Sequence, residues 1–468
     1  MVCAGMCHPT TSWGVRRAGS DGRQQKPPCE SEKEWAAEKD DSKSLLPQRS
    51  DDDMQGSPSK KKPHPHRVQR TTANSKRRAA LLATIIAAAG AAIFAALFLA
   101  FSSSDAPHTT NKHAKSIPSY VLNYTGPTVV WKNRTSFPCH PGESNWGAKS
   151  TQSIPTTKGL LYTKPIKSAS STLSGVAIQI ARNTAQRLSS SSNNNSNNNN
   201  TEQCLVRFNH DQSRTSAHTF QYAKRSRTES YLWTFIREPT ERSISHFFFR
   251  RVSREKVEPH DGEFRKFLVT GHRRNYYLGE MDPDVMSGGG GGNGTQSEAT
   301  IASSVERILE LYDFIGIVER MHESLIVLKL LLGLEYQDIL YISAKGSGGY
   351  DDGAWDGTCV YIVPSFVSSG MKEWLESEKW QHRIAGDNAL YAAVHASLDR
   401  TIERLGRGLV EEQVLEFERR LDIVREKCLS RTVFPCSEEG IRVPDKQTSC
   451  LWRDSGCGYD CYNIFEFD

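Results

Sequence analysis

Two stretches of this 468-residue chain carry residue types suited to holding an anion. The first reads Lys164-Pro165-Ile166-Lys167-Ser168-Ala169-Ser170-Ser171-Thr172-Leu173. Small residues let a backbone wrap closely around an anion, so that its N–H groups and the positive end of a following helix face it. Lys164 and Lys167 add charge, Ser168, Ser170, Ser171 and Thr172 add hydroxyl donors, and Ala169 keeps the turn small. The Walker pattern G-x-x-x-x-G-K-[ST] is absent. By itself the stretch also reads as an ordinary Ser-rich turn with an exposed lysine.

The second stretch reads Phe235-Ile236-Arg237-Glu238-Pro239-Thr240-Glu241-Arg242-Ser243-Ile244-Ser245. Arg237 ends an apolar run, and Ser245 lies about two turns into the helix that follows. The planar arginine fork donates two parallel hydrogen bonds to one phosphate. The plain alternative is an arginine paired with a carboxylate such as Glu238.

Positioning these residues takes strands and helices in alternation. Gly159 to Tyr162 reads as a strand, and Leu173, Val176, Ala177 and Ile180 fall at helical spacing after the Ser-rich turn. Cys204 to Phe208 and Tyr231 to Ile236 read as further strands. Pro239 sits where a helix tolerates proline, and Ile244, Phe247 and Phe248 share a face of the helix it opens. Phe314 to Val318 reads as another strand, followed by a helix carrying Leu325, Leu328 and Leu332. Asp338 to Ile342 reads as one more strand, and helical patterns fill Asp387 to about Cys428. The alternation predicts an α/β fold with a mostly parallel central sheet flanked by helices. Both anion stretches then fall at strand carboxyl ends, where open α/β sheets bind ligands.

Taken together, the two stretches resemble the sulfotransferases that use 3'-phosphoadenosine 5'-phosphosulfate (PAPS). The first is similar to their 5'-phosphosulfate loop. The second is similar to their 3'-phosphate motif, Arg-Asp/Glu-Pro-x-x-Arg-x-x-Ser, through Arg237, Glu238, Pro239, Arg242 and Ser245. The branch most resembled is the Golgi galactose 3-O-sulfotransferases, which include the galactosylceramide (cerebroside) enzyme. Their first loop commonly reads Lys-Thr-His-Lys-Thr-Gly/Ala-Ser-Ser-Thr-Leu. Asn209-His210, the run Tyr312 to Glu319, Glu323-Ser324-Leu325 and Asp338-Ile339-Leu340-Tyr341 are also similar. The likeness spans about Leu160 to Leu421 and leaves out both ends of the chain. It departs where the family histidine is replaced by Ile166 and its neighbouring threonine by Pro165.

The resemblance implies a P-loop-NTPase-like sulfotransferase fold, PAPS as donor, a carbohydrate or glycolipid acceptor, and no required metal. It implies that Lys164, Lys167, Ser168, Ala169, Ser170, Ser171 and Thr172 hold the donor's 5' end, with Lys167 stabilising the leaving phosphate. Arg237 and Ser245 would hold the 3'-phosphate. With Ile166 at the histidine position, His210 is the first candidate for the base, and His218 and Glu319 stand behind it. Two rival readings remain. Asp282-Pro283-Asp284 fits the Asp-x-Asp metal motif of a Golgi glycosyltransferase. The loss of the family histidine fits a luminal glycan-binding protein without activity.

The remaining sequence sets the context. Residues 1–78 are polar and too poor in apolar clusters to offset chain entropy, so they read as a disordered tail. Ala79 to Phe101 has 23 residues without a charge. At about 1.5 Å per residue, such a helix spans a bilayer. Eight Lys or Arg lie in the 20 residues before it and two in the 20 after. The positive-inside rule then puts the tail in the cytosol and the rest in the lumen of a type II Golgi protein. Sequons at Asn123, Asn133, Asn194, Asn199 and Asn293 agree.

Residues 102–155 read as a stem, 156–430 as the enzyme domain, and 431–468 as a Cys-rich extension. Low-complexity insertions interrupt the domain near 188–201 and 286–298. Eight of the 11 cysteines follow the apolar span, an even number that points to disulfides rather than zinc. Their pairing stays open. A net charge of +5, without a basic recognition helix, argues against nucleic acid.

Overall fold

The structure is a computed structural model that describes residues 117–134, 137–140, 158–191, 204–209, 222–271, 273–287, 296–344, 346–352 and 357–465. The tail, the apolar run 79–101, His210, His218 and the sequons at Asn194, Asn199 and Asn293 lie outside the described residues, as do most of both insertions. Among the described residues no helix is long and apolar enough to cross a membrane.

Among the described residues, four strands form one sheet in the order β2-β1-β3-β4, and every pairing is parallel. They are β1 (Gly159–Thr163), β2 (Val206–Asn209), β3 (Ser230–Ile236) and β4 (Phe314–Ile317). Every residue of β1, β3 and β4 is buried. That burial suits a parallel sheet covered on both faces and explains the near-continuous apolar runs of these strands. The chain leaves β1 for β2 on one side, and then passes to β3 and β4 on the other. The connections therefore diverge at the carboxyl ends of β1 and β3. Such a switch point opens a crevice at the strand ends.

Helix α1 (Ser170–Ser191) follows β1, and α2 (Pro239–Phe247) follows β3. Leu173, Val176, Ala177 and Ile180 of α1 are buried, as their spacing predicts. The start of α2 is fixed by Glu238, whose carboxylate accepts the Glu241 N–H at 2.7 Å, and by Pro239 in the first turn. Further on come α3 (Tyr276–Met281), α4 (Glu298–Leu311), α5 (Met321–Leu332), α6 (Ala385–Leu405) and α7 (Arg407–Cys428). From Phe248 to Arg254 the helix after α2 widens into a π-helix, a form frequent at functional sites.

Two parts of the sequence fold differently from expectation. Asp338 to Ile342 is not a strand. Tyr336–Ile339 is one helical turn, closed because the Asp338 carboxylate accepts the Glu335 N–H at 2.9 Å. Arg187 of α1 clamps the same buried carboxylate at 2.9 and 2.7 Å, so Asp338 serves packing rather than a sheet. Ile342 keeps a single bridge, to Cys457. The second difference concerns the stretch read as stem, part of which belongs to the core. Trp131 is 2% exposed, its ring lies 5.1 Å from that of Phe314, and the Arg134 N–H donates to the Leu331 carbonyl at 2.8 Å.

The Cys-rich end packs onto α1 through a hairpin of β5 (Cys450–Trp452) and β6 (Ser455–Cys457). The eight cysteines pair as Cys139–Cys204, Cys359–Cys436, Cys428–Cys461 and Cys450–Cys457. The hairpin sits so close that a Cβ on Gly175 would lie 2.2 Å from the Gly456 nitrogen. Backbone cannot yield as a flexible side chain does. We expect Gly175→Ala to lower stability by the 1–3 kcal/mol typical of overpacking, roughly, read as a fall in melting temperature. An unchanged Tm would show that the hairpin can lift away from α1.

Candidate functional site

Both anion-type stretches open onto one cavity of about 380 Å³. Lys167, Ala169, Ser170, Ser171 and Thr172 line it from the β1–α1 connection, and Arg237 and Ser245 line it from the β3–α2 segment. The sheet brings them together: Tyr162 is in register with Trp233, so β1 and β3 end side by side. The cavity therefore occupies the crevice at the switch point.

The β1–α1 loop adopts a costly conformation. Lys167 has φ 64° and Ala169 φ 54°, both left-handed and both without glycine's freedom. Such geometry persists where surrounding contacts over-determine it, often at ligand sites. The Ala169 carbonyl accepts the Leu173 N–H at 3.1 Å, which starts the helix. A first turn leaves N–H groups without intrahelical acceptors, and here that turn is Ser170 to Thr172, at the cavity wall. With the helix dipole it makes an anion-binding end.

The charged side chains lining the cavity are two cations, Lys167 and Arg237, and one carboxylate, Glu241. The Lys167 ammonium stands 4.0 Å from the Phe249 ring centroid, over its face. The His246 imidazole, close by, is pushed down to about 3, by burial first and then by Arg242, Lys167 and Arg250. Arg237 is 3.5 Å from the Glu241 carboxylate and 3.8 Å from that of Glu319, ion-pair separations longer than a good hydrogen bond. Its partner is not Glu238, whose carboxylate is spent on the α2 start and on the Tyr120 hydroxyl at 3.1 Å.

Three candidates have other duties. Lys164 does not line the cavity; its ammonium lies 5.5 and 5.7 Å from the ring centroids of Phe208 and Trp452, which hold it by cation–π attraction. Ser168 is fully buried and hydrogen-bonded to the Tyr277 hydroxyl at 3.1 Å, so it anchors the loop rather than facing a ligand. Glu319 accepts the Glu238 N–H at 3.1 Å and the Tyr391 hydroxyl at 3.0 Å. It is thus engaged on both oxygens. Ser171 faces the cavity while its hydroxyl donates to Asp454 of the β5–β6 turn at 3.0 Å. Arg242, part of the motif, is fully buried with its guanidinium 3.9 Å from the Tyr276 ring centroid. Ile166 donates its N–H to the Tyr276 hydroxyl at 2.8 Å.

Sequence reasoning missed other lining residues: Phe248, Phe249, Gly346, Ser347, Ile362, Val363 and Ser365. The Gly/Ser-rich run from Gly346 to Gly349 was a visible signal of a loop. It also missed Tyr276-Tyr277 and Asp454, for which no local pattern exists. The formal Asp-x-Asp pair is occupied by a cation of the chain itself: Arg307 binds buried Asp282 at 2.6 Å and Asp284 at 3.2 Å.

Beneath the site, Asp387 of α6 accepts the Tyr277 N–H at 2.8 Å and so fixes α3. Burial pushes its carboxyl up from 3.8 to about 7, against the pull of Arg242 and of the α3 N–H groups. Between those two values the native state keeps a proton that the unfolded chain has released. Stability must then fall as pH rises through that window and level off above it. Asp387→Asn keeps the accepting oxygen and has nothing to titrate. We expect the Tm of the wild type to fall relative to this variant from about pH 5 to pH 7. Parallel curves would show that Asp387 is ionised throughout.

No protein-family model and no curated protein matches this chain.

Proposed function

We propose that the cavity binds PAPS and that the protein is a sulfotransferase acting on a carbohydrate hydroxyl, galactose in a glycolipid or glycan by resemblance. One observation carries this reading: two motifs far apart in sequence line a single cavity at the switch point of a parallel sheet. The residues present fit such a donor, since Lys167 and the first turn of α1 line the same cavity as an arginine and a serine from the second segment. The P-loop-NTPase-like sulfotransferase fold, the membrane anchor at 79–101 and Golgi residence belong to the same proposal.

The donor would supply the sulfuryl group and leave as 3'-phosphoadenosine 5'-phosphate (PAP). Lys167 and the first turn of α1 neutralise charge at the 5' end, as preorganised cations do in phosphoryl transfer. Arg237 and Ser245 hold the 3'-phosphate, the group that separates this donor from ATP. The acceptor hydroxyl gives its proton to a base, which helps by roughly 10²–10⁴-fold. His210 remains the first candidate and His218 the second. Glu319 is less suited, because both its oxygens already accept hydrogen bonds.

The test is incubation of the full-length protein with sulfur-labelled PAPS and a panel of glycolipids, glycoproteins and polysaccharides. Label on a glycan supports the reading. PAP binding without turnover on any acceptor would favour the inactive glycan-binding alternative. Manganese-dependent transfer from a nucleotide sugar would favour a glycosyltransferase, which the pairing of Asp282 and Asp284 with Arg307 disfavours.

A further inference from the structure

The two anion-type loops are joined by one buried hydroxyl. Tyr277 of α3 is fully buried, and its oxygen lies 2.8 Å from both the Arg237 nitrogen and the Arg237 carbonyl oxygen, and 3.1 Å from Ser168 Oγ. A phenol offers one donor and two acceptor sites. All three are used if it accepts from the Arg237 N–H and the Ser168 hydroxyl and donates to the Arg237 carbonyl. Its neighbour Tyr276 takes the Ile166 N–H at 2.8 Å, which adds a second tie to the β1–α1 loop. Asp387 fixes the pair from below through the Tyr277 N–H. Neither tyrosine lines the cavity.

We propose that Tyr277 is a positioning residue that sets the spacing between the two loops, and so selects a nucleotide bearing an anionic group at each end. The proposal rests on the donor reading above. A ligand held at both ends gains its second contact as an intramolecular event, and that gain vanishes when the two sites no longer match the ligand's span. A one-ended ligand needs only one loop and is indifferent to the spacing. The hydroxyl therefore controls the preference for two-ended ligands more than the affinity of either loop.

The test compares three ligands on the full-length protein: PAP, adenosine 5'-phosphosulfate, which lacks the 3'-phosphate, and 3'-AMP, which lacks the 5' group. For Tyr277→Phe, which keeps the buried ring, we expect PAP to bind about 10-fold more weakly, the equivalent of 1.4 kcal/mol. The two one-ended ligands should change by less than about 2-fold. Ser168→Ala cuts one of the three bonds and should show the same pattern at smaller size. It serves as the test if Tyr277→Phe does not fold. Parallel weakening of all three ligands, or no change in any, overturns the proposal. A wild-type chain without preference for PAP overturns the donor reading itself, and this inference with it.

Discussion

Replacing Lys167 by methionine is expected to lower kcat by roughly 10²–10³-fold, the usual effect of removing one preorganised charge from a transition state. Methionine keeps an unbranched stem, with sulfur in place of one methylene, and removes the ammonium, and the backbone strain at φ 64° is the same for both residues. The ammonium stands at the cavity wall over the Phe249 ring, a contact made without any ligand. In the proposed transfer, charge on the leaving phosphate grows as the bond to sulfur breaks. The interaction is therefore stronger in the transition state than in the ground state, and its loss falls on kcat more than on KM. Binding of PAP should weaken less than turnover does. The measurement is kcat and KM for PAPS with a saturating acceptor. A variant with raised KM and unchanged kcat would make Lys167 a binding residue only.

The parts that could be read from sequence were those written in local chemistry. The buried strands show themselves because parallel pairing on both faces demands apolar runs such as Leu160 to Tyr162 and Tyr231 to Ile236. Arg237 and Ser245 were legible because spacing along a strand–helix junction fixes which side chains meet. What sequence did not reveal was written in distant contacts. Lys164 looks like a donor ligand until Trp452, from the far end of the chain, is seen beside it. Ser168 looks like a ligand hydroxyl, yet Tyr277 claims it from 109 residues away. Asp338 sits in a run suited to a strand, but a bidentate Arg187 and a capping box make a helical turn the lower-energy choice there. The Cys-rich end gave no motif, because its part in the fold is a backbone-to-backbone approach at Gly175 and Gly456. Small residues at such a contact carry no chemical signature of their own.

Arg237→Ala should separate the two ends of the donor. A hydrogen bond to a charged group is worth roughly 1.5–3 kcal/mol, so PAP affinity is expected to fall by about 10–150-fold. Adenosine 5'-phosphosulfate should bind almost as before, since it has no 3'-phosphate for Arg237 to hold. The surroundings push the PAP effect toward the upper end of that range. Glu241 and Glu319 lie 3.5 and 3.8 Å from the guanidinium, and without it less positive charge offsets their repulsion of an incoming phosphate. For the same reason Arg237→Lys should rescue only in part: a lysine restores the charge but not the planar fork, and it has two carboxylates close by to pair with instead. Isothermal titration with both nucleotides, at fixed ionic strength, reads the difference directly. Equal weakening of the two ligands would mean that Arg237 shapes the cavity through Glu241 and Glu319 and does not contact the 3'-phosphate. Full rescue by lysine would mean that the site needs a positive charge there and nothing of the fork.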